Sequence, residues 1–213
     1  MMSNFLVALS ALVLVACGSG QHFNALPANA NVVVLGDSLT YGTGAAEGED
    51  YVSLLRTSTG WKIKNAGIPG NTSADGLVRL DALLTTHQTD IEKIDLLIIE
   101  LGGNDFLRHI SEAETISNLN TILTKAKAHH IQTLLIAIPK FSPVGAAFGN
   151  LKDHPLYLKL AEQTNTPLIE DIFSDVLGKN NLKADPVHPN AEGYRVVATD
   201  FKSALVDLGF FNR

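Results

Sequence analysis

A serine at the end of an apolar run is the first residue in this chain that could do chemistry. In VVVLGDSLTYG, Val32 to Gly42, three valines and a leucine lead into Gly36-Asp37-Ser38 before the chain turns polar and glycine-rich. A serine hydroxyl is a weak nucleophile unless a neighbouring base takes its proton. A serine between a strand and a helix can equally be an N-cap, accepting from the free N–H groups of the first turn. This segment alone supports either role. The nucleophile elbow G-x-S-x-G is absent, because Thr40 stands two residues after Ser38, and an α/β-hydrolase is disfavoured.

A base must be sought among seven histidines. His22 precedes the strand pattern, His87, His129 and His130 stand at the ends of helical stretches, and His109 and His154 lie in polar loop or helix-start contexts. His188 differs, because in ADPVHPN it follows Asp185 by three residues within a proline-braced turn. At that spacing the carboxylate can accept from one ring nitrogen while the other faces outward, which fixes the tautomer of a general base. A surface turn with an incidental histidine reads the same way. Asp185 and His188 could also be two metal ligands, but no further His or Cys cluster has matching spacing. Gly70 in AGIPGNTS and Asn104 in LGGNDF could donate to an oxyanion through a turn amide and a side-chain amide. Glycine and asparagine also occupy turns for conformational reasons alone.

Short apolar runs at Val32–Leu35, Ile94–Leu101 and Gln132–Ile138, with weaker ones at Trp61–Asn65 and Pro167–Glu170, are the elements that must hold these residues. The clear runs are apolar at nearly every position, as in strands of a parallel sheet covered on both faces. Helical stripes lie between them: Leu77, Leu80 and Leu84; Ile116, Leu119, Leu123 and Ala126 behind a Ser111–Glu114 capping box; and Tyr194, Val197, Phe201 and Leu205. A further helix is expected from Pro155 to about Gln163. Such alternation implies an α/β/α sandwich around a parallel sheet. Ligands of open parallel sheets bind outside the carboxyl ends of the strands, where Ser38, Gly70 and Asn104 all fall.

The chain's 213 residues, 46% hydrophobic and 18% charged, suit one globular domain, expected over 31–213. A net charge of −6 without a Lys/Arg cluster argues against nucleic acid as a partner. At the N-terminus, the apolar run Phe5–Ala16 is too short for a membrane span, which needs about 20 residues. It fits the core of a signal peptide over 1–16, although no Lys or Arg precedes it. Leu14-Val15-Ala16-Cys17 resembles a bacterial lipobox, with Cys17, the only cysteine, as the lipidated residue and 17–30 as a tether. A plain signal peptide with a chance cysteine, or a buried N-terminal helix, reads the same way; the expectation is an exported, periplasmic protein anchored through Cys17.

The blocks GDSLTYG, NAGIPGNTS, GGND and DPVHPN, in this order and spanning nearly the whole chain after the tether, resemble those of the SGNH hydrolases, the GDSL-type esterases and lipases. Within that family the wording is most similar to the bacterial arylesterase and acyl-CoA thioesterase/lysophospholipase group. The resemblance implies a flavodoxin-like three-layer α/β/α fold and no cofactor; the expectation is a monomer without a metal, acting on a small acyl ester or thioester. It implies Ser38 as nucleophile, His188 as base and Asp185 as its orienting partner, with the Ser38 amide, the Gly70 amide and the Asn104 side chain as oxyanion donors. Two other functions use the same chain: a carbohydrate O-deacetylase, or a lipid-binding envelope lipoprotein with an idle site. The long loop Lys140–Asn150 could wall an acyl pocket through Phe141 or Phe148, or be a plain connection.

Overall fold

The computed structural model describes residues 23–86, 93–140, 149 and 151–212. Among these, five parallel strands form one sheet in the order β2-β1-β3-β4-β5: β1 (Asn31–Gly36), β2 (Lys62–Gly67), β3 (Leu96–Glu100), β4 (Gln132–Ile136) and β5 (Leu168–Ile169). β3 is buried at every position, which is why its sequence does not alternate. The α/β sandwich with a parallel sheet read from the apolar runs is the architecture found.

Two groups of helices cover the sheet. One contains α2 (Tyr51–Thr59), α7 (Ile172–Leu177) and α8 (Ala191–Asp207); the other contains α3 (Ser73–Thr86), α5 (Glu112–Ala128) and α6 (Leu156–Thr164). Two short helices, α1 (Ser38–Tyr41) and α4 (Gly103–Leu107), follow β1 and β3 directly. Ser111 caps α5 by accepting from the Glu114 amide, as the capping signature requires, and Leu119, Leu123 and Ala126 are buried. Pro155 stands at the N-cap of α6, one position before the helix proper. α2 and α7 had no clear pattern in the sequence. In α2 only Tyr51, Val52 and Leu55 are buried, and four of the other six residues are serines or threonines of low helical preference.

The chain goes from β1 to β2 on one side and then crosses to β3 on the other. Gly36 at the end of β1 pairs with Gly67 of β2 and with Glu100 of β3. This reversal point is where an open parallel sheet leaves a crevice for ligands.

Residues 23–30, read as part of a tether, are fastened to the domain. The Phe23 ring stacks on Phe210 with centroids 5.3 Å apart, the Leu26 amide donates to the Phe210 carbonyl, and Ala30 is fully buried. The expected leader at 1–16, Cys17, His22 and His87 lie outside the described residues, as do Phe141 and Phe148 of the loop after β4. Among the described residues, no helix is long and apolar enough to cross a membrane.

Candidate active site

The carboxyl ends of β1, β2 and β3 present Ser38, Gly70 and Asn104 around one cavity of about 230 Å³, and the loop before α8 adds His188. Ser38 is the first residue of α1, but it is not the cap. Asp37 holds that position, its Oδ1 accepting from the Leu39 amide at 3.0 Å. The capping role left open for Ser38 therefore belongs to its neighbour, and the Ser38 hydroxyl is available to another partner.

That partner is His188. Its Nε2 lies 2.9 Å from Ser38 Oγ, and its Nδ1 lies 2.7 Å from Asp185 Oδ2. The other oxygen of Asp185 accepts from the Val187 and His188 amides, both at 2.9 Å, so the three-residue spacing closes into a turn. Partial burial pushes the Asp185 carboxyl up, but the hydrogen bonds from His188 and Val187 and the His188 charge outweigh it and hold the carboxyl below its usual range. With Asp185 anionic, Nδ1 carries the ring proton and Nε2 is free to accept from the serine.

The His188 loop is pinned at both ends. Lys183 bridges Pro189, the Ala184 amide donates to the His188 carbonyl, and Asn190 caps α8 by accepting from the Gly193 amide at 2.9 Å. Tyr194 donates to the Thr43 carbonyl, tying α8 to the loop that leaves α1. Gly44, with φ of +101°, lets that loop approach so closely that a Cβ there would sit 2.3 Å from the Pro189 carbonyl oxygen.

On the donor side, neither the Ser38 nor the Gly70 amide has an acceptor among the described residues, and both residues line the cavity. Gly70 adopts φ of +80°, and its carbonyl accepts from the Arg108 guanidinium at 2.7 Å, which holds the peptide that follows the donor amide. The Asn104 Nδ2 group donates to Asp37 Oδ2 and to the Asn71 carbonyl, each at 2.9 Å. Both amide hydrogens are thereby aimed, and an oxyanion would share one of them. Leu107, Ile138, Leu151, Leu177 and Val187 supply an apolar wall to the cavity.

Two acidic residues lie under the site, Asp37 within GDSLTYG and Glu100 just before GGND, and neither stands out in the sequence as a site residue. Asp37 is 2% exposed and Glu100 is fully buried. Burial pushes Asp37 up to about 6, against the opposing pull of the Leu39 amide, the His188 charge and the Asn104 and Glu100 side chains. Burial first, and then the Asp37 charge, push Glu100 well above its usual range. The hint available in the sequence is Glu100 near the end of the run IDLLIIEL, after four consecutive apolar residues, the run's other acid, Asp95, standing at its start.

The raised Asp37 sets a direction for stability against pH. Folded Asp37 keeps its proton to about 6, whereas its ordinary value is 3.8, so over that interval the folded chain binds more protons than the unfolded one. Its contribution to stability is therefore greatest at low pH and declines as pH rises through the interval. Glu100 has the same sign. Asp185, lowered, has the opposite one: its contribution is lost as pH falls through its folded value. Thermal melts of Asp37→Asn are expected to show a shallower decline between about pH 4 and 6 than the parent; an identical slope would contradict the assignment.

Among the described residues, no group of three or more His, Cys, Asp or Glu side chains is placed to hold a metal. His109, His129, His130 and His154 take no part in the site; His154 stacks on Phe106 and His129 ends α5.

The chain resembles known proteins over this same extent. Residues 34–196 match the model of the GDSL-like lipase/acylhydrolase family. The chain is 33% identical over 191 residues to esterase TesA of Pseudomonas aeruginosa, covering 85% of this chain and 90% of the relative. It is 33% identical over 172 residues to thioesterase 1/protease 1/lysophospholipase L1 of Escherichia coli, covering 78% and 79%. The psychrotrophic esterase EstA from Pseudoalteromonas sp., solved as inhibited by monoethylphosphonate, superposes with a TM-score of 0.70 at 28% identity, over 84% of this chain and 98% of that one. With the family model spanning most of the domain and relatives above 30% identity along it, the chain belongs to the GDSL-like lipase/acylhydrolase family and is a hydrolase of ester bonds.

Proposed function

We propose that this chain is a serine esterase that cleaves carboxylic esters or thioesters through an acyl-enzyme on Ser38, with His188 as general base, Asp185 as its orienting partner and no cofactor. The observation that carries the reading is the unbroken line from Asp185 Oδ2 through His188 to Ser38 Oγ at 2.7 and 2.9 Å, beside an apolar cavity. In the first step His188 Nε2 takes the Ser38 proton as Oγ bonds to the acyl carbon. The negative charge that develops on the carbonyl oxygen is met by the Ser38 and Gly70 amides and by one hydrogen of the Asn104 amide. The tetrahedral species collapses, and the imidazolium hands its proton to the departing alkoxide or thiolate. Water, deprotonated by the same nitrogen, then attacks the acyl-enzyme and releases the acid.

Asn104→Ala is expected to lower kcat by roughly 10²–10³-fold with little change in KM, since the donor acts on charge that exists only in the transition state. A KM effect alone would assign Asn104 to ground-state binding instead.

The apolar wall of Leu107, Ile138, Leu151, Leu177 and Val187 favours acyl chains longer than acetyl over the O-deacetylase alternative. A series of p-nitrophenyl esters and acyl thioesters of increasing chain length tests this. Rising kcat/KM from acetyl to butyryl and beyond supports the esterase; turnover confined to acetylated sugars overturns it. Export and anchoring through an acylated Cys17 belong to the same proposal, on the strength of the Leu14–Cys17 motif. Cys17→Ser should move the protein out of the membrane fraction, and unchanged fractionation would remove the anchor.

A further inference from the structure

Glu100 lies beneath the site, at the last position of β3, directly opposite Gly36. One of its oxygens, Oε2, receives the Thr40 hydroxyl at 2.6 Å, the Thr40 amide at 3.0 Å and the Asp37 amide at 3.3 Å. These donors flank Ser38 on both sides, so a single oxygen holds the turn that carries the serine. The Thr40 hydroxyl is held in turn by Tyr51 at 2.9 Å. The glycine at position 36 makes room for this arrangement; a Cβ there would lie 2.0 Å from Thr40 Oγ1 and 2.7 Å from Glu100 Oε2.

The second oxygen, Oε1, is buried and finds no donor among the described residues. A buried carboxylate oxygen without a donor is unfavourable, and a protonated carboxyl avoids that by becoming a donor itself. The acceptor at hand is the carboxyl of Asp37, the residue whose amide already reaches Oε2 and whose charge acts on Glu100. Asp37 in its turn receives the Asn104 amide. The chain Tyr51–Thr40–Glu100–Asp37–Asn104 thus runs from the core to the oxyanion side of the cavity.

We propose that Glu100 is a positioning residue kept as a neutral acid: Oε2 fixes the Ser38 turn, while the proton on Oε1 is directed at Asp37, which stays anionic and aims the Asn104 amide. The inference rests on the assignment of Ser38 as nucleophile. Both oxygens of Glu100 are then used, and two of the groups that meet substrate, Ser38 and Asn104, are set by one side chain that does not touch it. Burial and the neighbouring carboxylate favour the protonated form.

Glutamine is nearly isosteric with a neutral glutamic acid, accepting on one atom and donating from the other. Glu100→Gln is therefore expected to keep kcat within about threefold of the parent. Glu100→Ala is expected to lose roughly 10–100-fold in kcat with KM little changed, the scale of effect that small misplacements of reacting groups produce. The rate of Ser38 phosphonylation by a fluorophosphonate should fall in parallel, and an infrared carbonyl band of a protonated carboxyl should be present in the parent at neutral pH and absent from Glu100→Gln. If Glu100→Ala keeps the parent kcat, or Glu100→Gln loses as much as Glu100→Ala, the proposal is overturned while the Ser38 assignment stands. If the parent itself is not labelled at Ser38, both fall together.

Discussion

Ser38→Ala is expected to lower kcat on a p-nitrophenyl butyrate substrate by about 10⁶-fold, the loss seen when the nucleophile of a serine triad is removed from an otherwise intact site. The fold gives this variant a second signature. If Ser38 capped α1, its loss would cost about 1 kcal/mol of stability. Asp37 provides the cap instead, and among the described residues the side chain of Ser38 hydrogen-bonds only to His188 Nε2. Alanine is the most favourable helical residue, so the stability change should stay within about 0.5 kcal/mol. Activity collapses and the melting curve barely moves. Kinetics alone show that the serine matters; kinetics and stability together show that it matters chemically.

His188→Ala is expected to cause a loss of similar size, roughly 10⁶-fold, because serine and base act as a unit and removing either disables the same step. Two features should separate it from a folding defect. Asp185, left without its ring partner, keeps the Val187 and His188 amides and is 45% exposed, so water solvates the freed oxygen and the loop between the Lys183–Pro189 bridge holds. The substitution also empties the space beside Ser38 Oγ, where added imidazole can stand in for the missing ring. Turnover rising with the concentration of unprotonated imidazole in His188→Ala, and not in Ser38→Ala, would assign the lost function to proton transfer. Full activity in His188→Ala would remove the general base from the account.

The parts of the site visible in the sequence are those whose chemistry is local. Asp185 and His188 lie three residues apart, so a turn suffices to join them, and the turn is closed by backbone amides of the same short segment. Gly70 and Asn104 sit just beyond apolar runs, and the rule that parallel sheets bind ligands at their carboxyl ends gathers them at one edge. Glu100 is another matter. Its partners, Thr40 and Asp37, are 60 and 63 residues away, and the contact exists only because β1 and β3 pair with Gly36 opposite Glu100. Composition marks Glu100 as an acidic residue in a buried run but says nothing of register. The same holds for Asp37 as the cap: Asp37 and Ser38 are both good capping residues, and only the backbone at the end of β1 decides between them.

Among the elements, β3 and α5 were legible because their patterns are long and unmixed, the one apolar throughout and the other striped. α2 was not, because a short helix with three buried residues makes its stripe too faint. The docking of residues 23–30 was hidden by composition. Proline, alanine and asparagine read as a linker, and the ring of Phe23 is what fastens the segment, against Phe210 nearly 190 positions away.

The central claim is that Ser38 becomes acylated by way of His188. Its most direct test is to treat the folded protein with a fluorophosphonate and locate the adduct by peptide mass mapping. The account predicts one stoichiometric adduct on Ser38, absent from Ser38→Ala and greatly slowed in His188→Ala. An unmodified Ser38, or an adduct on another residue that persists at full rate in Ser38→Ala, would contradict it.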